Sequence, residues 1–301
     1  MDIYSESGRI KALEKKFLTS KQVQSIIEAK NIGEVISILE KSFYKFPSPI
    51  LNTEEIIELL DKERNFIYEE IEKISPDILK IFLLKNDFFN LRIILENKKN
   101  YVLPCNLPGQ VLKGYIEGSK GNIPDFLKKG VKIVKSEKNI EEKLLDLKNE
   151  YYIQLYNLLT AFNSSFIEKY GKIEIDFANL STFILKKKNG EKIVSSFFIR
   201  NGNIRAEKFL NEEAILKSLT KEYKITDIPI NEENFEIIRY KAIMNYIKEG
   251  RIIPYGIEVI FSYFIAREIE VEIIQKLLIS KFYNIDENIL KKQPIIVYQW
   301  K

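Results

Sequence analysis

Apolar side chains recur at three- and four-residue intervals along most of this chain. Leu144, Leu147, Tyr151, Leu155, Leu158 and Phe162 fall on one face of a helix, and Ile56, Leu60, Ile67 and Ile71 mark another. Start signals precede such runs. Asn52 with Glu55 three residues on reads as a capping box. Ser75-Pro76-Asp77 sets a cap residue before a proline at the first helical position. Asn211-Glu212-Glu213 supplies a cap followed by acids that suit the positive end of a helix. Strand signals are sparse. Gly130–Lys135, Lys192–Ile199 and the tail Ile295–Trp300 are the segments that could be extended, and none suggests a large sheet. The pattern predicts an all-α fold.

The chain also repeats itself. A Gly-polar-aliphatic step occurs as Gly8-Arg9-Ile10, Gly109-Gln110-Val111 and Gly202-Asn203-Ile204. An acid opening an aliphatic run follows each, at Asp87, Asp176 and Glu270, with separations of 79, 67 and 68 residues. The first two runs share Asp87-x-x-Asn90-Leu91 and Asp176-x-x-Asn179-Leu180. Lysines close them at Lys98-Lys99, Lys186–Lys188 and Lys281. An acid near the start and bases near the end of a helix match its dipole, so that polarity alone has a local explanation. The ordered recurrence predicts a triplicated helical unit of about 95 residues, with boundaries at 1–104, 105–199 and 200–301.

Composition narrows the function. Of 301 residues, 47 are basic and 43 acidic, a net charge of +4. Mixed charge of this kind lacks the concentrated basic face that nucleic-acid binding needs. There is no histidine, which removes the commonest general base and metal ligand. The lone Cys105 excludes an internal disulfide and a zinc ribbon. No phosphate-loop or dinucleotide fingerprint is present, and Gly118-Ser119-Lys120-Gly121 has the wrong spacing and is expected to be an exposed turn. The opening Met1-Asp2-Ile3-Tyr4 is not expected to act as a signal peptide. The longest nearly apolar stretch, Ile252–Ala266, is short for a bilayer span and contains Pro254 and Glu258. Membrane association is therefore expected to run through a partner.

The third unit holds Tyr263-Phe264-Ile265-Ala266-Arg267-Glu268-Ile269-Glu270-Val271-Glu272 and runs on to Leu277-Leu278-Ile279. This resembles the C-terminal signature Y-[LI]-x-x-[KR]-E-x-E of C subunits (d in eukaryotes) of V/A-type, that is vacuolar/archaeal-type, rotary ATPases. Ile173–Leu180 is similar to that family's E-I-D-x-x-N-[IL] segment, and Asp87–Arg92 to its D-x-x-N-[IL]-[KR]. Leu145-Asp146 followed by Tyr151-Tyr152 is similar to its L-D-x(4)-Y-[FY] helix. No single motif is specific, but the ordered set spans nearly the whole chain. The departures are Ile273 where the family often has Asn, Gln275 where it often has Arg, and a first Gly step without A-R-V-R.

The resemblance implies three similar helical domains in a pseudo-three-fold, funnel-like array. It implies a non-catalytic adaptor in the cytoplasm, peripheral to the membrane. Its partners would be the central-stalk rotor subunits on one side and the proteolipid (c-type) ring on the other, with no cofactor, no metal and no nucleic acid. A helical scaffold of another complex is the rival reading, and an Asp/Lys hydrolase a third. The repeat-signature residues are Asp87, Asn90, Asp176, Asn179, Glu268 and Glu270. Catalysis by the three acids is disfavoured, because they lie in separate repeats. The i,i+3 pairs Asp87–Asn90 and Asp176–Asn179 are suited to holding loose backbone ends. Phe88, Phe89, Tyr151 and Tyr152 are expected in the core, and Lys128-Lys129, Lys186–Lys188 and Lys291-Lys292 at solvated helix ends.

Overall fold

Polar caps start the helices at the positions expected. Ser75 accepts from the Ile78 N–H ahead of Pro76, Asn211 accepts from Ala214, and Asn52 accepts from Glu55 at 2.8 Å. Each side chain satisfies a donor that the first turn leaves open. The computed structural model describes residues 2–46, 52–226, 228–285 and 297–298. Among them are twelve α-helices, four short 3-10 turns and no strand. In chain order the helices begin with α1 (Ile3–Leu13), α2 (Ser20–Glu28), α3 (Ile32–Leu39) and α4 (Thr53–Ile74). There follow α5 (Pro76–Leu95), α6 (Gly109–Ile116), α7 (Asp125–Lys135), α8 (Ile140–Thr160), α9 (Ser165–Lys188) and α10 (Glu212–Tyr223). The last are α11 (Glu232–Ile247) and α12 (Ile257–Phe282).

The chain forms two units, one of residues 1–74 with 223–301, the other of residues 75–222. In the first, α12 is the centre and packs on α1, α3, α4 and α11. Its burial on nearly every side explains the apolar run up to Ala266: an all-round apolar helix of this length is a core helix. In the second, α8 lies against α5, α7 and α9, and α5 also meets α6 and α7. The longest helix of this unit, α9, buries most of its residues.

Three long helices stop alike. After α5, α9 and α12, residues Asn97, Gly190 and Asn284 take positive φ. The next N–H returns to a carbonyl five residues back: Lys98 to Ile93, Glu191 to Lys186, and Ile285 to Ser280. This left-handed stop satisfies carbonyls that a helix end leaves open.

Two strand candidates are corrected. Gly130–Lys135 is the second half of α7. A Cβ on Gly130 would lie 2.6 Å from Leu91 Cδ1, so this glycine permits close approach of α7 to α5. Lys192–Ile199 holds only a 3-10 turn at Ser195–Phe197 and joins no sheet. Of the tail, Val297 and Tyr298 are buried in the first unit, Tyr298 against Phe17 at 4.9 Å between ring centroids. The rest of Ile295–Trp300 lies outside the described residues, as do Lys291 and Lys292.

Candidate functional site

The sequence-predicted residues fall into separate clasps, each joining a long helix to a loop. On α5, Asp87 Oδ1 accepts from the Leu107 N–H at 3.0 Å, and Oδ2 accepts from Asn106 Nδ2 at 2.7 Å. One turn on, the Asn90 amide grips Val102 from both sides: Oδ1 accepts from its N–H at 2.7 Å and Nδ2 donates to its carbonyl at 3.0 Å. On α9, Asp176 accepts from the Asn203 and Ile204 N–H groups at 3.0 Å. Asn179 grips Ile199 through both its amide atoms, at 2.8 and 2.9 Å. All four side chains are buried. Spacing of three puts acid and amide on one helix face, so both reach the same loop. In each case the residue held by the acid lies five positions after the residue held by the amide.

The third clasp is built differently. Glu270 of α12 accepts from the Leu18 N–H at 2.7 Å and from the Tyr44 hydroxyl at 2.9 Å. Ile273 stands where the other two helices carry asparagine, and it is an apolar core residue. In place of an amide, Arg267 brings a guanidinium that is 2% exposed. It lies 3.7 Å over the Phe43 ring, donates to the Tyr44 hydroxyl at 3.3 Å and reaches Glu63 at 3.4 Å. Glu268 is not part of this clasp; the Tyr68 hydroxyl of α4 is bonded to it instead.

The three loops continue alike. Leu107, Ile204 and Leu18, whose N–H groups the acids hold, each stand immediately before the residue that caps a short helix. Those caps are Pro108 for α6, Arg205 for the 3-10 turn Ala206–Leu210, and Thr19 for α2. The Gly steps do not share this register. Gly8 is inside α1, Gly109 opens α6, and Gly202 sits in the loop over Asp176. A Cβ on Gly202 would meet Asp176 Oδ1 at 2.0 Å, so only glycine leaves the carboxylate room to take its backbone donors.

Burial pushes Asp87 up to about 6, against the donors that favour its anion. Burial likewise pushes Glu270 up to about 7, opposed by Arg267, the Leu18 N–H and Tyr44. Every one of these carboxylates is engaged by backbone or side-chain donors of its own loop. Among the described residues, no group of three His, Cys, Asp or Glu side chains gathers to hold a metal. Charges at helix ends are mostly met by neighbours: Lys128 by Asp125, Lys186 by Glu191 and Lys187 by Glu212. Such exposed pairs contribute little each. Phe88 is buried as expected, whereas Phe89 is half exposed.

Sequence reasoning missed the roles of Arg267, Tyr44 and Leu18. The only signal is the Arg267-x-x-Glu270 spacing, which reads as part of a signature motif and does not by itself disclose a buried ion pair.

Comparison with known proteins bears on what these clasps serve. Residues 7–293 match the family described as ATP synthase (C/AC39) subunit. The chain is also 22% identical to a protein of Thermococcus onnurineus (strain NA1) named as the C subunit of an A-type ATP synthase. That alignment covers 88% of this chain and 82% of the relative.

Proposed function

We propose, from the premise that this chain belongs to the ATP synthase (C/AC39) subunit family, that it is the adaptor joining the central rotor stalk to the membrane proteolipid ring. Membership makes it a non-catalytic subunit of a V/A-type ATP synthase complex. The coupling role and the two named partners are the proposal.

The observation that carries it is the set of clasps. An element that transmits torque must resist shear between its helices. Buried carboxylates on α5, α9 and α12, with an amide beside the first two, fix these helices to loops that lead into short helices. Close-packed helices with satisfied buried polar groups yield less than segments joined by flexible linkers. The division into repeats 1–104, 105–199 and 200–301, in pseudo-three-fold array, belongs to the same proposal. In it, the Leu18–Glu270 bond joins the first repeat to the third.

No described helix is long and apolar enough to cross a membrane. The proposal therefore has the chain reach the ring through the ring's protein loops, at the cytoplasmic side. Both charge signs are abundant, so electrostatics would set fit and assembly rate more than affinity.

A sedimentation experiment tests this. The purified chain is mixed with the soluble stalk subunits and the detergent-solubilised ring. It is expected to bring both into one complex that does not form in its absence. A chain that binds only one of them, or a stalk that binds the ring unaided, contradicts the bridge.

A further inference from the structure

Two separate backbone needs bring asparagine and glycine together over the α9 clasp. Gly202 is required because a Cβ there would collide with Asp176 Oδ1. Asn201 before it has a φ of +74°. In that left-handed region asparagine is among the side chains that fit best after glycine. The resulting pair is chemically labile. A glycine nitrogen has no side chain crowding it, so it can reach the side-chain carbonyl of a preceding asparagine and close a five-membered ring. The sequence holds two such pairs, Asn189-Gly190 and Asn201-Gly202. Both asparagines are exposed.

The fold treats the two pairs differently. Asn189 caps α9 in helical conformation, with φ −77° and ψ −2°. The Gly190 N–H donates to Lys187 O at 3.1 Å, and Asn189 Nδ2 donates to Glu191 Oε1 at 3.1 Å. Ring closure there must break the first bond, pull the amide from the second and turn the cap residue out of its helical conformation. Asn201 lies in irregular backbone. Asp176 takes the N–H groups of Asn203 and Ile204, not that of Gly202. Among the described residues, no hydrogen bond engages the Gly202 nitrogen or the Asn201 side-chain amide. Solvent base can therefore take the Gly202 amide proton without the loss of a bond.

We propose that Asn201 is a deamidation site whose product loosens the Asp176 clasp. The Gly202 nitrogen, as its proton leaves to solvent base, bonds to Asn201 Cγ. The side-chain nitrogen departs as ammonia, taking a proton from water, and a succinimide remains. Water then opens the ring at one of its two carbonyls. Opening at Cγ gives aspartate at position 201. Opening at the main-chain carbonyl gives isoaspartate, in which the chain runs through Cβ and Cγ. The net change is one water consumed and one ammonia released. Isoaspartate lengthens the backbone by one carbon just ahead of Asn203, the first residue whose N–H Asp176 holds. Both products also add a negative charge near that buried acid, which disfavours its anion. The α5 clasp has no such pair, since Pro104 and Cys105 hold the corresponding places ahead of Leu107. This chemistry is independent of the adaptor role.

The test ages the purified full chain at mildly alkaline pH, folded and, in parallel, in concentrated denaturant. Isoaspartate is read by enzymatic methylation with labelled S-adenosylmethionine, and each site by peptide mass spectrometry. In the folded chain, conversion at Asn201 is expected to outrun conversion at Asn189 at least about tenfold. In denaturant the two rates should converge, because the bonds that protect Asn189 are gone. Hydrogen exchange at the Ile204 N–H should accelerate in the aged folded chain, and exchange at Leu107 should not. Asn201→Gly keeps a residue suited to positive φ and should age with no change at Ile204. Absence of conversion at Asn201, conversion at Asn189 that equals it in the folded chain, or a preference for Asn201 that persists in denaturant each overturns the proposal. So does a converted chain with unaltered exchange at Ile204, or an aged Asn201→Gly chain in which that exchange accelerates all the same.

Discussion

The Leu18 N–H donates to Glu270 Oε2 at 2.7 Å across 252 positions of the chain. This bond ties the segment before α2 to the last described helix. It matches the bonds that tie Leu107 to Asp87 and Ile204 to Asp176. The recurring unit is therefore a buried acid on a long helix and the N–H just ahead of the next short helix. The third instance is completed by the beginning of the chain.

Glu270 gives this arrangement a pH signature. Its ordinary value is 4.5, and burial raises it to about 7. Between those values the folded chain holds a proton that the unfolded chain has released. Stability from this site is full below about 4.5 and is lost as pH rises through about 7. Denaturant unfolding at about pH 5 and about pH 8 should show a decline in the wild type on the order of a few kcal/mol. Glu270→Gln should flatten most of it. Asp87, raised from 3.8 to about 6, adds a decline of the same sign at lower pH. A Glu270→Gln variant with an unaltered slope would place the titration elsewhere.

The three Gly steps should respond differently to alanine. Gly8 has nothing within 4 Å of its missing Cβ and lies in α1, so Gly8→Ala is expected to stabilise by about 0.5–1 kcal/mol through helix propensity. Gly202→Ala would drive a methyl group into Asp176 Oδ1 and is expected to cost about 1–3 kcal/mol. Urea midpoints of the two variants measure both. Equal effects would mean that the Gly steps are equivalent after all.

Asn90→Ala and Asn179→Ala each remove a two-point grip on a loop. Asn179→Ala leaves the N–H and carbonyl of buried Ile199 without their amide partners, at an expected cost of about 1–3 kcal/mol. Hydrogen exchange at Ile199 should accelerate in Asn179→Ala but not in Asn90→Ala. The reverse should hold at Val102. Acceleration at both sites in either variant would show that the clasps are not independent.

Much of this is legible in the residues. Caps at Ser75 and Asn211 are readable because the first turn's needs are local. The Asp-x-x-Asn pairs point to backbone holding, because three-residue spacing fixes a shared face whatever the tertiary structure. Gly130–Lys135 reads as a strand because its β-branched residues favour one, and the reason for Gly130 lies on α5, out of reach of local pattern. The Gly-step register fails for a related reason. Gly202 is required by Asp176, whereas Gly8 is required by nothing nearby. The contact of Leu18 with Glu270 and the bonds of Lys148 to Ala178, Ser181 and Thr182 are long-range facts that no window of sequence contains.

Ion pumping per ATP hydrolysed, measured in vesicles holding the complex with and without this chain, tests the coupling role most directly. The head should continue to hydrolyse ATP after the chain is removed, while pumping falls to background. Adding back the purified wild-type chain should restore it. Pumping that continues at the normal ratio without the chain would contradict the adaptor assignment.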